Sequence, residues 1–299
     1  MSLKDHCALG RCAEADASKL KACSACSEVW YCCKEHQVEH YHEGGHKLIC
    51  VGRKKGSPVP LNECMSRVVT LVNQEKWSEA LPYYGALLEF AEKNMGSNHS
   101  HTVNILNTMV MCYKRLKRYE EVEQCLQRTL GIHEQSSDEH QQKSHLIFQT
   151  TGQLGEAYMA SGKLPKAKEI LYRVRDMAEQ IFGADSFEAG KSLSALSTCL
   201  DKCDETEEAI STLVQGLNIP AYGNATMRQE RLTAAVSYSN LGVLYLKVGK
   251  RDEAFQQYRK SFELKIKGGL PASHPEIQNL KAILSAGKQL ETLNEPGGP

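Results

Sequence analysis

Between Cys23 and Cys50 the chain places five cysteines (23, 26, 32, 33 and 50) and four histidines (36, 40, 42 and 46) within 28 residues. Thiolates and imidazoles at this density are the donor set of zinc, which takes four of them in a tetrahedron. With Cys7 and Cys12 added, the donors fall into four pairs: Cys7-x4-Cys12, Cys23-x2-Cys26, Cys32-x3-His36 and His46-x3-Cys50. Each pair has the spacing of a tight knuckle or one helical turn, and together they suffice for two closed sites. A catalytic zinc keeps one position open for water, so filled pairs point to structural ions. The spare donors His6, Cys33, His40 and His42 are expected beside the ligands or at the surface, with His40 and Cys33 as alternatives to His36. A segment with so little Leu, Ile and Phe cannot build a core alone. Metal binding would supply on the order of 10–16 kcal/mol per structural zinc.

This series, with "WYC", "KEHQ" and "GGHKLIC", resembles the MYND-type zinc finger over residues 7–50. In that family the pairs interleave. The resemblance therefore implies that Cys7, Cys12, Cys32 and His36 hold one Zn2+, and that Cys23, Cys26, His46 and Cys50 hold the other. His36 stands where the family usually has Cys, and Tyr41 where it usually has Trp. The first pair is spaced by four residues rather than two, and two extra residues precede His46. The resemblance also implies a protein-binding module. Several such fingers take proline-rich peptides along an exposed strand, and the contact positions here are Gln37 and Tyr41. A flat aromatic face suits a proline ring in a preformed extended helix. The alternative for Tyr41 is packing against the finger's own small core.

The rest of the chain must present this head. Of 299 residues, Lys+Arg and Asp+Glu are each 36, so the formal charge is zero. Nucleic-acid binding is not expected of such a balance, since phosphate contacts need a basic face. No apolar run approaches the roughly 18 residues of a membrane span, and the N-terminus has no apolar signal region. The expected location is the cytosol or nucleus, where thiols stay reduced. Seven of the 12 cysteines lie in the first 50 residues. The others (64, 112, 125, 199 and 203) are expected to act as small apolar core residues. Cys199 and Cys203 are spaced i, i+4, with no His or further Cys beside them.

Residues 51–60, "VGRKKGSPVP", read as a linker. From about 61 the pattern turns to long segments of 3.6-residue period, such as Tyr238, Leu241, Tyr245 and Val248 on one face. Five stretches align: "EKWSEAL", "KRYEEVE", "GKLPKAK", "CDETEEA" and "GKRDEAF". Their small residues, Ala80, Val122, Ala167, Ala209 and Ala254, are spaced by 42, 45, 42 and 45. Each unit is expected to be two amphipathic helices meeting at a turn, often at Gly (Gly162, Gly249). The small residue would allow close approach, and Tyr113, Tyr158, Leu200 or Tyr245 would fill the gap.

The array resembles tetratricopeptide repeats, with a unit longer than the usual ~34 residues and similar to that of kinesin light chains. The turns "MGSNHS", "FGADSF" and "LPASHP" fit that likeness, which covers about 62–293. The implied fold class is all-α: a right-handed α-α solenoid of TPR-type helix pairs behind a small two-zinc MYND-like finger. The expected domains are a finger at 1–50, a linker at 51–60, a solenoid at 61–293 whose last segment, 274–293, is a capping helix, and a tail at 294–299. In kinesin light chains an Asn on each first helix clamps a bound peptide backbone. The equivalent positions here are Thr108, Gln153, Ala195 and Asn240, and Asn240 alone keeps the Asn.

No Gly-x-Gly-x-x-Gly, phosphate-cradling Gly-x4-Gly-Lys-Ser/Thr or Gly-x-Ser-x-Gly occurs. The expected function is a non-enzymatic adaptor that binds protein or peptide partners at a finger and a groove. The alternatives are a nuclear corepressor-type factor that binds proline-rich peptides, a cargo binder that reads through the solenoid alone, and a degenerate relative of SET/MYND lysine methyltransferases. The last rests on the tripeptide "NHS" at 98–100.

Overall fold

The structure is a computed structural model and describes residues 20–22, 30–31, 34–42, 61–137 and 140–294. The chain divides into two compact units, Met1–Glu139 and His140–Pro299.

In the first unit, β1 (Lys21–Ala22) and β2 (Trp30–Tyr31) form an antiparallel ribbon that pairs Lys21 with Tyr31 and Ala22 with Trp30. Helix α1 (Lys34–His42) packs against β2. Four longer helices follow: α2 (Leu61–Asn73), α3 (Trp77–Met95), α4 (Ser100–Arg115) and α5 (Tyr119–Gln135). Each packs on the next. The second unit holds α6 (His140–Ala160), α7 (Leu164–Phe182), α8 (Phe187–Lys202), α9 (Thr206–Asn218), the short α10 (Pro220–Gly223), α11 (Arg228–Lys247), α12 (Arg251–Lys267) and α13 (Pro275–Asn294). These too pack in order, with α9 reaching α11 across the short helix.

The five aligned small residues are the places where the hairpins close. Ala80, Val122, Ala167, Ala209 and Ala254 each lie on the first turn of a second helix and are 0% exposed. Five residues before each, the chain enters the left-handed region: Glu75 (φ 57°), Lys117 (57°), Gly162 (75°), Asp204 (62°) and Gly249 (77°). The next amide then donates back across the turn, Lys76 to Leu71, Arg118 to Tyr113, Lys163 to Tyr158, Glu205 to Leu200 and Lys250 to Tyr245, at 2.9–3.0 Å. This bond is the wide loop of a Schellman closure, which satisfies a carbonyl the helix end leaves orphaned. The acceptor in four of the five is the carbonyl of a gap-filling residue. Of those, Tyr158 and Leu200 are buried, while Tyr113 and Tyr245 are half-buried under the Arg118 and Lys250 cations.

Between repeats a second turn recurs. The third residue after its Gly or Pro caps the next helix. His99 Nδ1 accepts from the His101 amide at 3.2 Å, Ser186 Oγ from the Ala189 amide at 3.1 Å, and His274 Nδ1 from the Glu276 amide at 3.3 Å. Residues 98–100, the "NHS" tripeptide, are part of this turn and of the start of α4, and Asn98 donates to Gln135 on α5 at 3.1 Å.

The first and last helices differ from the rest. Thirteen residues before the small residue, four repeats bury Met109, Leu154, Leu196 or Leu241, but α2 has Arg67, exposed and paired with Glu63 at 3.1 Å. That face of α2 is solvated. At the other end, α13 covers α12: Leu280 packs with Ala254 and Tyr258, and Ile277 is 0% exposed. Lys265 is 6% exposed and donates to Glu276 on α13 at 2.6 Å. This is the capping helix expected from the sequence. Cys64, Cys112, Cys125 and Cys199 are buried, as expected of small core residues, whereas Cys203 is only half-buried.

Candidate functional site

In the finger, the ribbon brackets the segment that carries Cys23 and Cys26. Helix α1 carries His36 and Gln37 on its first turn, both half-buried, and its backbone runs on through Tyr41. His40, one turn after His36, shares a 2.8 Å hydrogen bond with the Tyr31 hydroxyl, and the two rings lie 5.7 Å apart. Tyr31 is 2% exposed. His40 therefore ties α1 to the ribbon through Nδ1. Cys7, Cys12, Cys23, Cys26, Cys32, Cys33, His46 and Cys50 lie outside the described residues, as does the Tyr41 side chain. Among the described residues no group of three or more His, Cys, Asp or Glu could hold a metal ion. The donor chemistry of the segment, thiols and imidazoles in pairs, fits zinc.

The second candidate surface lies on α8 and α11, which run side by side. The Ser194 and Ser237 hydroxyls meet at 2.6 Å, and Lys247 Nζ donates to Asp201 at 2.6 Å. Helix α11 buries Tyr238 and Leu241 on one side. On the other it exposes Val236 (48%) and Val243 (46%), with half-buried Asn240 between them at i+4 and i+7. The Asn240 carboxamide makes no hydrogen bond among the described residues. The other three equivalent positions are not clamps. Thr108 bonds its own helix at the Asn104 carbonyl (2.8 Å), Gln153 is exposed, and Ala195 has no polar group. The 3.6-residue period of the sequence points to the buried face of α11 and not to Val236 and Val243. Apolar residues on both sides of one helix were the available signal.

Under this surface lies a buried polar chain that the sequence did not announce. Tyr222 on α10 is 0% exposed, and its hydroxyl meets Ser237 Oγ at 2.5 Å, from which the chain continues to Ser194. Burial pushes the Tyr222 hydroxyl up in pKa, and the serines partly offset this. Tyr238 and Tyr258 are raised by burial too, and Tyr84 is pushed up to about 12. These are neutral packing phenols, far from the pKa of a general acid or base at neutral pH.

Comparison with known proteins agrees with this architecture. A tetratricopeptide-repeat sequence model matches residues 67–135 and 146–220, and a second matches 226–275. The chain is a tetratricopeptide-repeat protein. A MYND-finger model matches residues 7–50, so a MYND finger precedes the repeats. Among solved structures the chain is similar to a putative kinesin light chain with nearly identical TPR-like repeats from Podosopora anserina, at 18% identity over 71% of this chain and 97% of that one, with a TM-score of 0.54. It is also similar to BtubC (BKLC) from P. vanneervenii, at 12% identity over 81% and 94%, with a TM-score of 0.51. At these identities the likeness is one of fold. Both modules are of the kind that mediates protein–protein interaction, and the finger is of a zinc-binding type.

Proposed function

We propose that the chain is a non-enzymatic adaptor of the cytosol or nucleus that holds one partner on its finger and another on its repeats. The observation that carries this reading is Asn240: a half-buried carboxamide with no hydrogen bond among the described residues, set between two exposed valines on a first helix. A free amide donor and acceptor beside apolar ground can pair with the backbone of an extended peptide while the valines take its side chains. Two modest sites on one chain gain effective concentration when both engage one assembly.

In the finger, two structural zinc ions would be held by Cys7, Cys12, Cys32 and His36, and by Cys23, Cys26, His46 and Cys50. Bound zinc fixes the fold of the segment. Gln37 and Tyr41 on α1 would then face a proline-rich peptide.

The test uses the zinc-loaded full chain against a peptide array, with Tyr41→Ala and Asn240→Ala. Expected is a loss of proline-rich peptides in the first variant. In the second, extended peptides should weaken by about 1 kcal/mol, roughly fivefold. If neither variant changes any peptide, the two-ended adaptor is wrong.

A further inference from the structure

Helix α8 ends in two thiols one turn apart. Cys199 is 0% exposed, and Cys203, the C-cap residue, is half-buried. The Cys203 amide donates to the Cys199 carbonyl at 3.1 Å. The same two positions in the other repeats hold Thr70 and Gln74, Cys112 and Leu116, Ala157 and Ser161, and Leu244 and Val248. The thiol pair is particular to this repeat.

Three chemical fates are open to such a pair, and geometry separates them. A one-turn helical spacing leaves the Cβ atoms roughly 5–6 Å apart. A disulfide needs about 3.5–4.5 Å, so a direct S–S bond would distort the end of α8. A single bridging atom between the sulfurs spans the longer gap. Tetrahedral zinc is unsuited, because no third or fourth donor stands near: no group of three or more His, Cys, Asp or Glu that could hold a metal ion occurs among the described residues. A monovalent two-coordinate cation would leave a buried bis-thiolate anion. Burial pushes the Cys199 thiol up to about 11, with Cys203 adding to the effect, so the thiolate form is disfavoured there. A trivalent arsenical that carries one organic group needs just two sulfurs, accepts both thiols in protonated form and leaves a neutral product.

We propose that Cys199 and Cys203 form a two-thiol binding site for a monosubstituted trivalent arsenical. In the reaction the two S–H protons pass to the arsenoxide oxygen, which leaves as water. Two As–S bonds replace the As=O bond, arsenic stays trivalent, and nothing is oxidised or reduced. Cys203, the more exposed thiol, reacts first. Cys199 then closes the ring.

The experiment treats the zinc-loaded full chain with phenylarsine oxide and follows intact mass, peptide location and retained zinc. Expected is a single adduct that joins positions 199 and 203 without loss of zinc. It should disappear in Cys203→Ala and in Cys199→Ala, and persist in Cys112→Ala. Alanine is already present as Ala157 at the position equivalent to Cys199, so that variant keeps its helix. Should its circular dichroism fall nonetheless, Cys203→Ala decides alone. The proposal is overturned by an absence of adduct in the native chain, by an adduct that persists in Cys203→Ala, or by one found in the finger with zinc released.

Discussion

The finger and the repeats are ordered by opposite means. In the repeats, five small residues at a near-constant spacing are all fully buried, and each is preceded by the same left-handed turn. Their stability is spread over many equivalent contacts, none of which is indispensable. The finger has few apolar side chains, and its few described contacts centre on Tyr31, Leu20 and the Tyr31–His40 bond. A short segment of that composition depends on a handful of donor atoms. Redundant packing tolerates change at one position, whereas a ligand set does not.

The largest effect that would sharpen this contrast is removal of the metal. Chelation should withdraw on the order of 10–16 kcal/mol per zinc from the finger, while the helical circular dichroism of the repeats and their melting hold. A shared melting transition that moves with zinc would erase the distinction. Metal analysis should find two zincs per chain, with about one lost in His36→Ala and none in Cys33→Ala; the reverse would reassign the ligands.

Next come the points where the repeats are closely packed. A Cβ added at Gly242 would lie 2.7 Å from the Tyr258 ring, so Gly242→Ala should cost about 1–3 kcal/mol in denaturant unfolding. Leu126→Ala, at a 0% exposed position, should cost about 2–5 kcal/mol. Smaller and opposite in sign, Lys117→Gly and Asp204→Gly should stabilise by up to about 1 kcal/mol, since both residues sit in the left-handed region that strains a Cβ. A loss of stability there would mean that side-chain contacts outweigh the turn.

The smallest effect is electrostatic. The Lys265 ammonium, through its hydrogen bond and its charge, holds the Glu276 carboxyl below the usual carboxylate range. A depressed native pKa contributes stability that is present above the unfolded value of about 4.3 and lost as pH falls below it. Acid below roughly pH 4 should therefore loosen α13 first, as read by amide exchange, and Glu276→Gln should remove that pH dependence.

Much of the array was legible because the signal repeats. One alanine predicts little, but five small residues in register fix the hairpins, and the buried Tyr238 and Leu241 confirm the helical face. What stayed hidden was unique. The four-residue α10 reads as a loop, since Pro220 and Gly223 are turn formers, yet Tyr222 fills the hollow over Gly190, where an added Cβ would meet it at 2.4 Å. The solvated face of α2 at Arg67 shows only against the apolar residues that the other repeats bury at the same position. In the finger, donor types and spacings were plain, while the bond between His40 and Tyr31 depends on a strand and a helix meeting, which no spacing reveals.

The turn shared by all five repeats also bears on how the chain reaches its structure. Each hairpin closes between residues near in sequence, so little chain entropy is spent before the first contacts form. Folding can begin at any of the five hairpins and spread to its neighbours. A nascent chain leaving the ribosome could secure its early helices before the last had been made, and a kinetic defect in one turn would delay its own hairpin without stalling the rest.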